Sequence, residues 1–561
     1  MRILMLTHAF NSLAQRLWLE LTADGHDVSV EYDINDAVTR EAVALWQPDL
    51  VVAPFLKRAI PADLCAALPC LIVHPGPLGD RGPSALDWAI AERRVDWGVT
   101  VLQAVAEMDA GPVWAHRRFA LRRAAKSSIY RNEVTEAAVA ALREALSRMA
   151  AGLGPILRAN PGAAAEKPAM RQADRAIDWG RMGTDAVLAR LHAADGQPGL
   201  AETIGGHRLW LHDAHPAPGR TGPPGAWIGQ AEGALLRATA DGAIWIGHVK
   251  FDLPEGGRLK LPAATAFARL GLPLPPAVAG EDAPNRVRVT AHGDIAEIAF
   301  PFYNGALSPT RARALKAAIQ GARNARALLL TGGPEFWSNG IDLATIEAAD
   351  SPADASWEAI EAIDDVCLAL IEARGQWTVA AMAGNAGAGG VFMALAADEV
   401  VARAGTVLSP HYQNMGGLFG SEYWTYLLPR RLGVEGAARL MATRMPILAR
   451  DAAAMGLIDA TLPGTPEGFV TQVRDRLRAT LAAPDFAARL AAKSERRAAD
   501  EAARPLAAYR AAELAQMRLN FYGFDTSYHV ARHDFITAVP KSRTPLHLAR
   551  HRHAPAVPGA A

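Results

Sequence analysis

The sequence predicts a multidomain α/β protein, and three patterns along its 561 residues carry that prediction. Residues 1–120 alternate short apolar runs (Ile3 to Leu6, Val28 to Tyr32, Leu50 to Phe55, Leu71 to His74, Val99 to Gln103) with amphipathic stretches. Such runs, separated by helical periodicity, read as a parallel sheet wrapped by helices. From Gly205 to about Leu272, β-rich runs lie between glycine and proline turns, which reads as a small barrel. Beyond Asn285 the strand-helix alternation returns, with Ala327 to Leu330 and the glycine-rich Thr378 to Val401 as a second α/β unit. Alanine, arginine and leucine then recur at helical spacing from Thr471 to about Val530. The expected domains are 1–165, 166–278 with a linker and the barrel, 279–480, and a helical extension and tail at 481–561. Glycine and proline between Ala151 and Lys167 mark the first connector, and Pro273, Pro275, Pro276 and Pro284 the second. The tail after Pro540, rich in histidine and arginine, reads as a solvated end.

Composition narrows the function. Lys plus Arg and Asp plus Glu each number 58, so no net field draws the chain to nucleic acid or an anionic membrane. Three cysteines (Cys65, Cys70, Cys367), none at ligand spacing, argue against a disulfide scaffold and against a metal site. The amino terminus runs directly into strand-like sequence without the features of a signal peptide, so a cytoplasmic location is expected. The turn Thr7 to Ser12 contains no glycine, which excludes the dinucleotide fingerprint and with it NAD.

His74 ends a buried strand, where open sheets form their binding crevice. Glu107-Met-Asp-Ala-Gly-Pro-Val113 places Asp109 on another crossover loop, where a carboxylate can orient an imidazole and stabilise its charged form. With Arg81-Gly82 and Gly98-Val-Thr100, these segments resemble the folate-dependent formyltransferases. The resemblance implies a Rossmann-like domain that uses 10-formyltetrahydrofolate, with His74 and Asp109 catalytic; Gly111 and Arg131 are the expected cofactor-binding residues, Arg131 by gripping a phosphate or folate carboxylate. Arg81 and Lys126 are further candidates for gripping a phosphate or folate carboxylate. Ile72 stands where that family carries a catalytic asparagine, and losing such a donor costs about 100- to 1,000-fold in rate. Asp178-Trp179 and the barrel resemble the OB-like carboxyl-terminal domain of methionyl-tRNA-type formyltransferases.

In the second α/β unit, Glu335-Phe-Trp-Ser-Asn-Gly-Ile-Asp-Leu343 and Met382-Ala-Gly-Asn-Ala-Gly-Ala-Gly-Gly-Val391 are glycine-rich loops after strands. Two such loops facing one thioester oxygen make an oxyanion hole. Their order and pattern resemble the enoyl-CoA hydratase/isomerase (crotonase) family, with Trp337, Met382 and Asn385 as departures. The resemblance implies a coenzyme A thioester held by the N–H groups of Ile341 and Gly389, with Gly340 and Gly390 beside them. Phe392 and His411 replace the two hydratase glutamates, so addition of water to a double bond is not expected. Tyr412 and Glu422, on the aromatic segment Ser409 to Tyr426, are the candidates for proton transfer. Desolvation by Tyr423 and Trp424 would raise the Glu422 carboxyl toward neutrality.

The fusion of these two units is more specific than either alone and resembles the HoxX family of hydrogenase maturation proteins. Segments such as Gly79-Asp-Arg-Gly-Pro-Ser84 and Gly420-Ser-Glu-Tyr-Trp-Thr-Tyr426 carry that resemblance. It implies synthesis of carbon monoxide from the formyl group of 10-formyltetrahydrofolate, through formyl transfer to coenzyme A and decarbonylation, for the iron centre of nickel-iron hydrogenase. The maturation machinery of the hydrogenase large subunit is the implied partner. The alternatives are a formyltetrahydrofolate or formyl-CoA hydrolase, and a non-catalytic module that binds a one-carbon ligand.

Overall fold

The computed structural model describes residues 1–161, 167–254 and 256–553. Gly162 of the expected connector and the end of the tail, 554–561, lie outside the described residues. Contacts divide the chain into two compact units, Met1–Gly229 with Leu235–Val249 and Pro540–Ala561, and Gln230–Ala234 with Lys250–Val539. Among the described residues no helix is long and apolar enough to cross a membrane.

The first unit opens with a six-stranded sheet of β1 (Arg2–Thr7), β2 (Asp27–Tyr32), β3 (Leu50–Phe55), β4 (Cys70–His74), β5 (Asp96–Gln103) and β6 (Val113–Ala120). Their order is β2-β1-β3-β4-β5-β6. Ile3, Leu4, Met5 and Leu6 are at most 2% exposed, because helices cover both faces and both side-chain parities must be apolar. Asn11 accepts a hydrogen bond from Ala14 N (3.0 Å) and so caps α1 (Ser12–Ala23). The helix α2 (Thr135–Ala150) buries Ala138, Leu142, Ala145 and Leu146 on one stripe. The expected parallel sheet holds only as far as β4. β4 pairs antiparallel with β5, and β5 with β6, where the 104–112 link between the last two is too short for a parallel crossover. Next come β7 (Leu200–Ile204), β8 (His207–Pro216), β9 (Trp227–Ala231), β10 (Ala234–Ala238) and β11 (Ala243–Asp252), ordered β7-β8-β11-β10-β9, and β12 (Arg258–Pro262) follows in sequence.

As far as His553, the last described residue, the tail is not a solvated end. Val30 N donates to Leu548 O (3.0 Å) and Tyr32 N to Thr544 Oγ1 (2.8 Å), so the tail covers the open edge of β2. His551 bonds Ser29 Oγ (2.7 Å) and Glu31 Oε2 (2.9 Å), while Thr544 Oγ1 donates to Glu31 Oε1. Its histidine and arginine composition reads as solvated only until Glu31 and Ser29, buried on β2, are seen to be its partners.

The second unit is built on β13 (Arg288–His292), β14 (Ile295–Ala299), β15 (Ala327–Thr331), β16 (Phe336–Ser338), β17 (Trp377–Met382), β18 (Asn385–Gly387), β19 (Glu399–Arg403), β20 (Val407–Ser409), β21 (Ile447–Leu448) and β22 (Ala460–Leu462). The main sheet runs β13-β14-β15-β17-β19-β22 and a smaller one runs β16-β18-β20-β21. The main sheet separates two cores by strand parity. Leu328, Leu330, Ala380 and Met382 face one core, and Ala327, Leu329, Val379 and Ala381 face the other. The first is covered by α3 (Pro352–Ile371), which Ser351 caps and Pro352 starts. The short α4 (Gly389–Leu395), α5 (Trp424–Ala442), α6 (Pro466–Ala482), α7 (Phe486–Ala503), α8 (Leu506–Tyr522) and α9 (Ser527–Thr537) complete the unit. Phe469, Val473, Leu477 and Leu481 of α6, four residues apart, close the second core.

Candidate active sites

In the first unit, parallel β1, β3 and β4 bring their carboxyl ends to one edge of the sheet, and His74 is the last residue of β4. Its ring lies between two carboxylates. Nε2 is 2.8 Å from Asp80 Oδ2 and Nδ1 is 3.4 Å from Asp109 Oδ2, with the imidazole 4% exposed. A Cβ at Gly76 would lie 2.3 Å from Asp80 Oδ2 and 2.4 Å from His74 Nε2, so only glycine admits this approach. Asp109 adopts φ 51°, and its Oδ2 accepts from Gly82 N (3.1 Å).

Asn160, fully buried, ties the two loops together. Its Nδ2 donates to Asp80 O (3.0 Å) and Asp109 O (2.9 Å), and its Oδ1 accepts from Gly79 N (2.8 Å). Neither Asp80 nor Asn160 is foreseen in the sequence. Asp80 is six residues from His74 in an ordinary turn, and Asn160 lies in a connector that reads as loop. Gly111 serves the loop itself, since a Cβ there would fall 1.9 Å from Gln103 O. Arg131 sits in a π-helical turn, Tyr130–Val134, and donates to Ser127 O (3.3 Å). Arg81 is engaged with Glu107 Oε1 (2.6 Å) and Asn160 O, and Lys126 with Asp87 Oδ1 (2.9 Å) and Gln197 O (2.5 Å). These two cations therefore brace loops. Ile72 packs against an apolar cluster with Ala53 and Leu64 and supplies no donor.

In the second unit β16 pairs parallel with β18, which sets the two glycine-rich loops side by side. A Cβ on Gly390 would lie 2.1 Å from Ser338 O, and one on Gly340 would lie 3.4 Å from Gly389 N. Trp337 Nε1 donates to Gly390 O (2.9 Å), and Asn385 Oδ1 accepts from Val407 N (2.9 Å), so these departures from the family pattern fix the loops. Leu307 N donates to Gly340 O (2.9 Å) and Asp342 N to Leu307 O (2.9 Å), which leaves the Ile341 N–H on the opposite edge. Gly389 N–H opens α4 and has no acceptor within the helix. The arrangement can receive one carbonyl oxygen.

Glu422 is 1% exposed and aimed at this place, since a Cβ on Gly389 would fall 2.0 Å from Glu422 Oε1. Its Oε2 accepts from Tyr412 Oη (2.5 Å) and Ser421 N (3.1 Å). The Tyr412 ring stacks on Phe392, with centroids 5.5 Å apart, and Gly420 leaves space for it. Burial pushes Glu422 up to about 8, and a negative charge on either neighbouring acid, Asp364 or Glu513, would add to the rise. Burial and the Glu422 charge hold the Tyr412 phenol well above its ordinary value. Tyr423 is buried as expected, whereas Trp424 packs on Phe419 (5.2 Å) beside a surface cleft with Met441 and Leu519. His411 is buried near the start of the same segment, and Phe392 leaves no carboxylate at the first hydratase position.

Beneath Glu422 lie two more acids. Asp364 Oδ1 accepts from Glu422 N (2.7 Å), and Glu513 Oε2 accepts from Tyr423 N (2.9 Å). Ser421 Oγ lies 2.8 Å from Asp364 Oδ2 and 3.3 Å from Glu513 Oε2. The sequence signal for both acids is a polar residue in an apolar stripe. Asp364 is flanked by Ile360, Ile363 and Cys367 on α3, and Glu513 stands seven residues after Leu506 and four before Met517 on α8.

The comparisons with known proteins find both kinds of domain in this chain. The formyl transferase family model matches residues 25–146, the formyl transferase C-terminal domain 169–257, and enoyl-CoA hydratase/isomerase 293–522. The hydrogenase maturation factor HoxX of Bradyrhizobium diazoefficiens is 54% identical, covering 98% of this chain and 97% of that protein. The methionyl-tRNA formyltransferase of Stenotrophomonas maltophilia is 28% identical, over 40% of this chain and 72% of its own. HypX from Aquifex aeolicus, crystallised in complex with tetrahydrofolic acid, superposes with a TM-score of 0.94 at 43% identity over 99% of both chains. The chain belongs to the HoxX and HypX family of hydrogenase maturation factors, with formyltransferase and enoyl-CoA hydratase/isomerase domains fused in one polypeptide.

Proposed function

We propose that the protein makes carbon monoxide from the formyl group of 10-formyltetrahydrofolate in two steps, for the iron centre of nickel-iron hydrogenase. The observation that carries this reading is Glu422, a buried carboxyl bonded by Tyr412 and set against Gly389, beside two N–H groups suited to a thioester oxygen. The tetrahydrofolic acid in the HypX crystal supports a folate substrate for the first unit. Coenzyme A would supply a thiol that accepts the formyl group and later leaves as thiolate.

In the first step His74 takes the thiol proton as the sulfur attacks the formyl carbon, and returns a proton to the departing folate nitrogen. Asp109 faces Nδ1 and stabilises the imidazolium, while Nε2 takes the thiol proton when Asp80 yields that nitrogen to the substrate; this stabilisation gains weight because Ile72 offers no donor to the oxyanion. In the second step the N–H groups of Ile341 and Gly389 hold the thioester oxygen. Glu422 removes the formyl proton as the C–S bond breaks, carbon monoxide departs, and the thiolate recovers that proton. Atoms and charge balance, and no water is required. This fits a site where Phe392 and His411 stand in place of the water-positioning glutamates. The cytoplasmic hydrogenase maturation machinery is the recipient in this reading.

Two variants separate the steps. With labelled 10-formyltetrahydrofolate and coenzyme A, Glu422→Gln should accumulate labelled formyl-CoA without carbon monoxide, and His74→Ala should form neither. Undiminished carbon monoxide from Glu422→Gln would remove that residue from the mechanism. Labelled formate as the sole product of the native protein would favour a hydrolase, and binding without turnover a one-carbon-ligand module.

A further inference from the structure

We propose that Asp364 and Glu513, bridged by Ser421 Oγ, are positioning residues that share one proton, held on Asp364, and so leave Glu422 as the acid of the three that titrates during the reaction. The inference rests on the reading of Glu422 as the base, and it begins from a count of hydrogens. A hydroxyl carries one proton, yet Ser421 Oγ is 2.8 Å from Asp364 Oδ2 and 3.3 Å from Glu513 Oε2. Both contacts are hydrogen bonds only if one of the two carboxyls is itself protonated.

The remaining partners decide which one. Both oxygens of Glu513 already accept from fixed donors. Oε2 accepts from Tyr423 N (2.9 Å), and Oε1 from Thr425 N (2.8 Å) and Thr425 Oγ1 (2.5 Å). That pattern suits a carboxylate. Asp364 Oδ1 accepts from Glu422 N (2.7 Å), but Oδ2 meets only Ser421 Oγ and, at 3.6 Å, Arg510 Nε, beyond hydrogen-bond range. The proton therefore sits on Asp364 Oδ2, donated to Ser421 Oγ, whose own hydrogen points to Glu513.

The charge balance agrees. The titratable and charged groups facing Glu422 are Asp364 and Cys367 from α3, Tyr412 from its own segment and Glu513 from α8, with Arg510 of α8 and Tyr423 reaching the cluster through Asp364. One cation among three enclosed carboxyls cannot support three negative charges, and Arg510 is shared with Asp365 (2.7 Å). Burial pushes Asp364 and Glu513 alike up to about 7, so burial does not choose between them and the hydrogen-bond pattern does.

Infrared difference spectra on the full-length Glu422→Gln protein at pH 7 test the proton directly. A carboxylic-acid C=O absorption should be present, should vanish when Asp364→Asn is added and should persist when Glu513→Gln is added. Its absence, or its loss with Glu513→Gln alone, overturns the assignment. The consequence for Glu422 is read from kcat against pH for carbon monoxide release from supplied formyl-CoA. Asp364→Asn should leave the midpoint of the acidic limb in place, because asparagine copies a neutral acid. Glu513→Gln should move it down by about one pH unit, because a negative neighbour is lost. An acid shift with Asp364→Asn overturns the proposal, and that arm decides even if Glu513→Gln does not fold. If the native protein releases no carbon monoxide from formyl-CoA, the functional reading fails while the infrared result still judges the shared proton.

Discussion

At the scale of single residues, the account turns on a carboxyl that burial holds near 8 and that must be ionised to act. Carbon monoxide release should therefore rise about tenfold per pH unit on the acid side and level off near pH 8. Tyr412→Phe removes the 2.5 Å donor to Glu422, a bond that favours the ionised form, so the limb should move to higher pH and kcat should fall. A limb that does not move would separate the phenol from the base. Gly389→Ala puts a methyl group where Glu422 Oε1 now lies, and should lose at least about 100-fold in turnover while the circular dichroism spectrum stays native. The bases of these predictions were unequally legible. Tyr412, Glu422 and the glycine loops stand out because rare residue types cluster in one segment. Asp80, Asn160, Asp364 and Glu513 do not, because each acts across a fold-dependent distance: Glu513 meets Tyr423 from 90 positions away.

At the scale of elements, strand parity made the second unit readable, since Ala327 to Leu330 must be apolar on both faces of a covered sheet. The antiparallel β5 and β6 were not readable, because strand direction depends on the link and not on the apolar pattern. The tail was misread for a related reason, as its partners Ser29 and Glu31 lie at the other end of the chain. Burial would raise Glu31, but hydrogen bonds from His551 and Thr544 and the charge of Arg552 outweigh it and leave the carboxyl below its ordinary value. The stability from this clasp is present above pH of about 4.5 and is lost as pH falls through the folded value. Glu31→Ala strands His551 and Arg552 without their acceptor and should cost about 3–5 kcal/mol in denaturant unfolding of the first unit. Truncation before Lys541 should instead expose the edge of β2 and promote aggregation, measurable by light scattering. A truncated protein as stable and dispersed as the full chain would show that the tail only rests on the sheet.

At the scale of the whole molecule, each unit buries a carboxyl with a displaced titration, Glu31 in the first and Glu422 in the second, and the two pH responses differ in sign. Glu422 is raised to about 8, so around neutral pH the folded second unit binds a proton that its unfolded chain has lost. Its stability from this group is complete below the ordinary carboxylate range and is lost as pH rises through about 8. The unfolding temperature of the second unit should fall between about pH 5 and 8, and Glu422→Gln should flatten that fall. An unfolding temperature independent of pH would mean that Glu422 is not held in its protonated range. The fusion itself was legible, because each half carries its own motif set and neither motif set explains the other. In the proposed sequence a formyl group enters at His74 and leaves from Glu422 as carbon monoxide. The most direct test is to incubate the purified protein with formyl-labelled 10-formyltetrahydrofolate, with and without coenzyme A, and to measure labelled carbon monoxide in the headspace and labelled formate in solution. Carbon monoxide that requires coenzyme A is the expected result; formate alone, or carbon monoxide formed equally without coenzyme A, would overturn the two-step sequence.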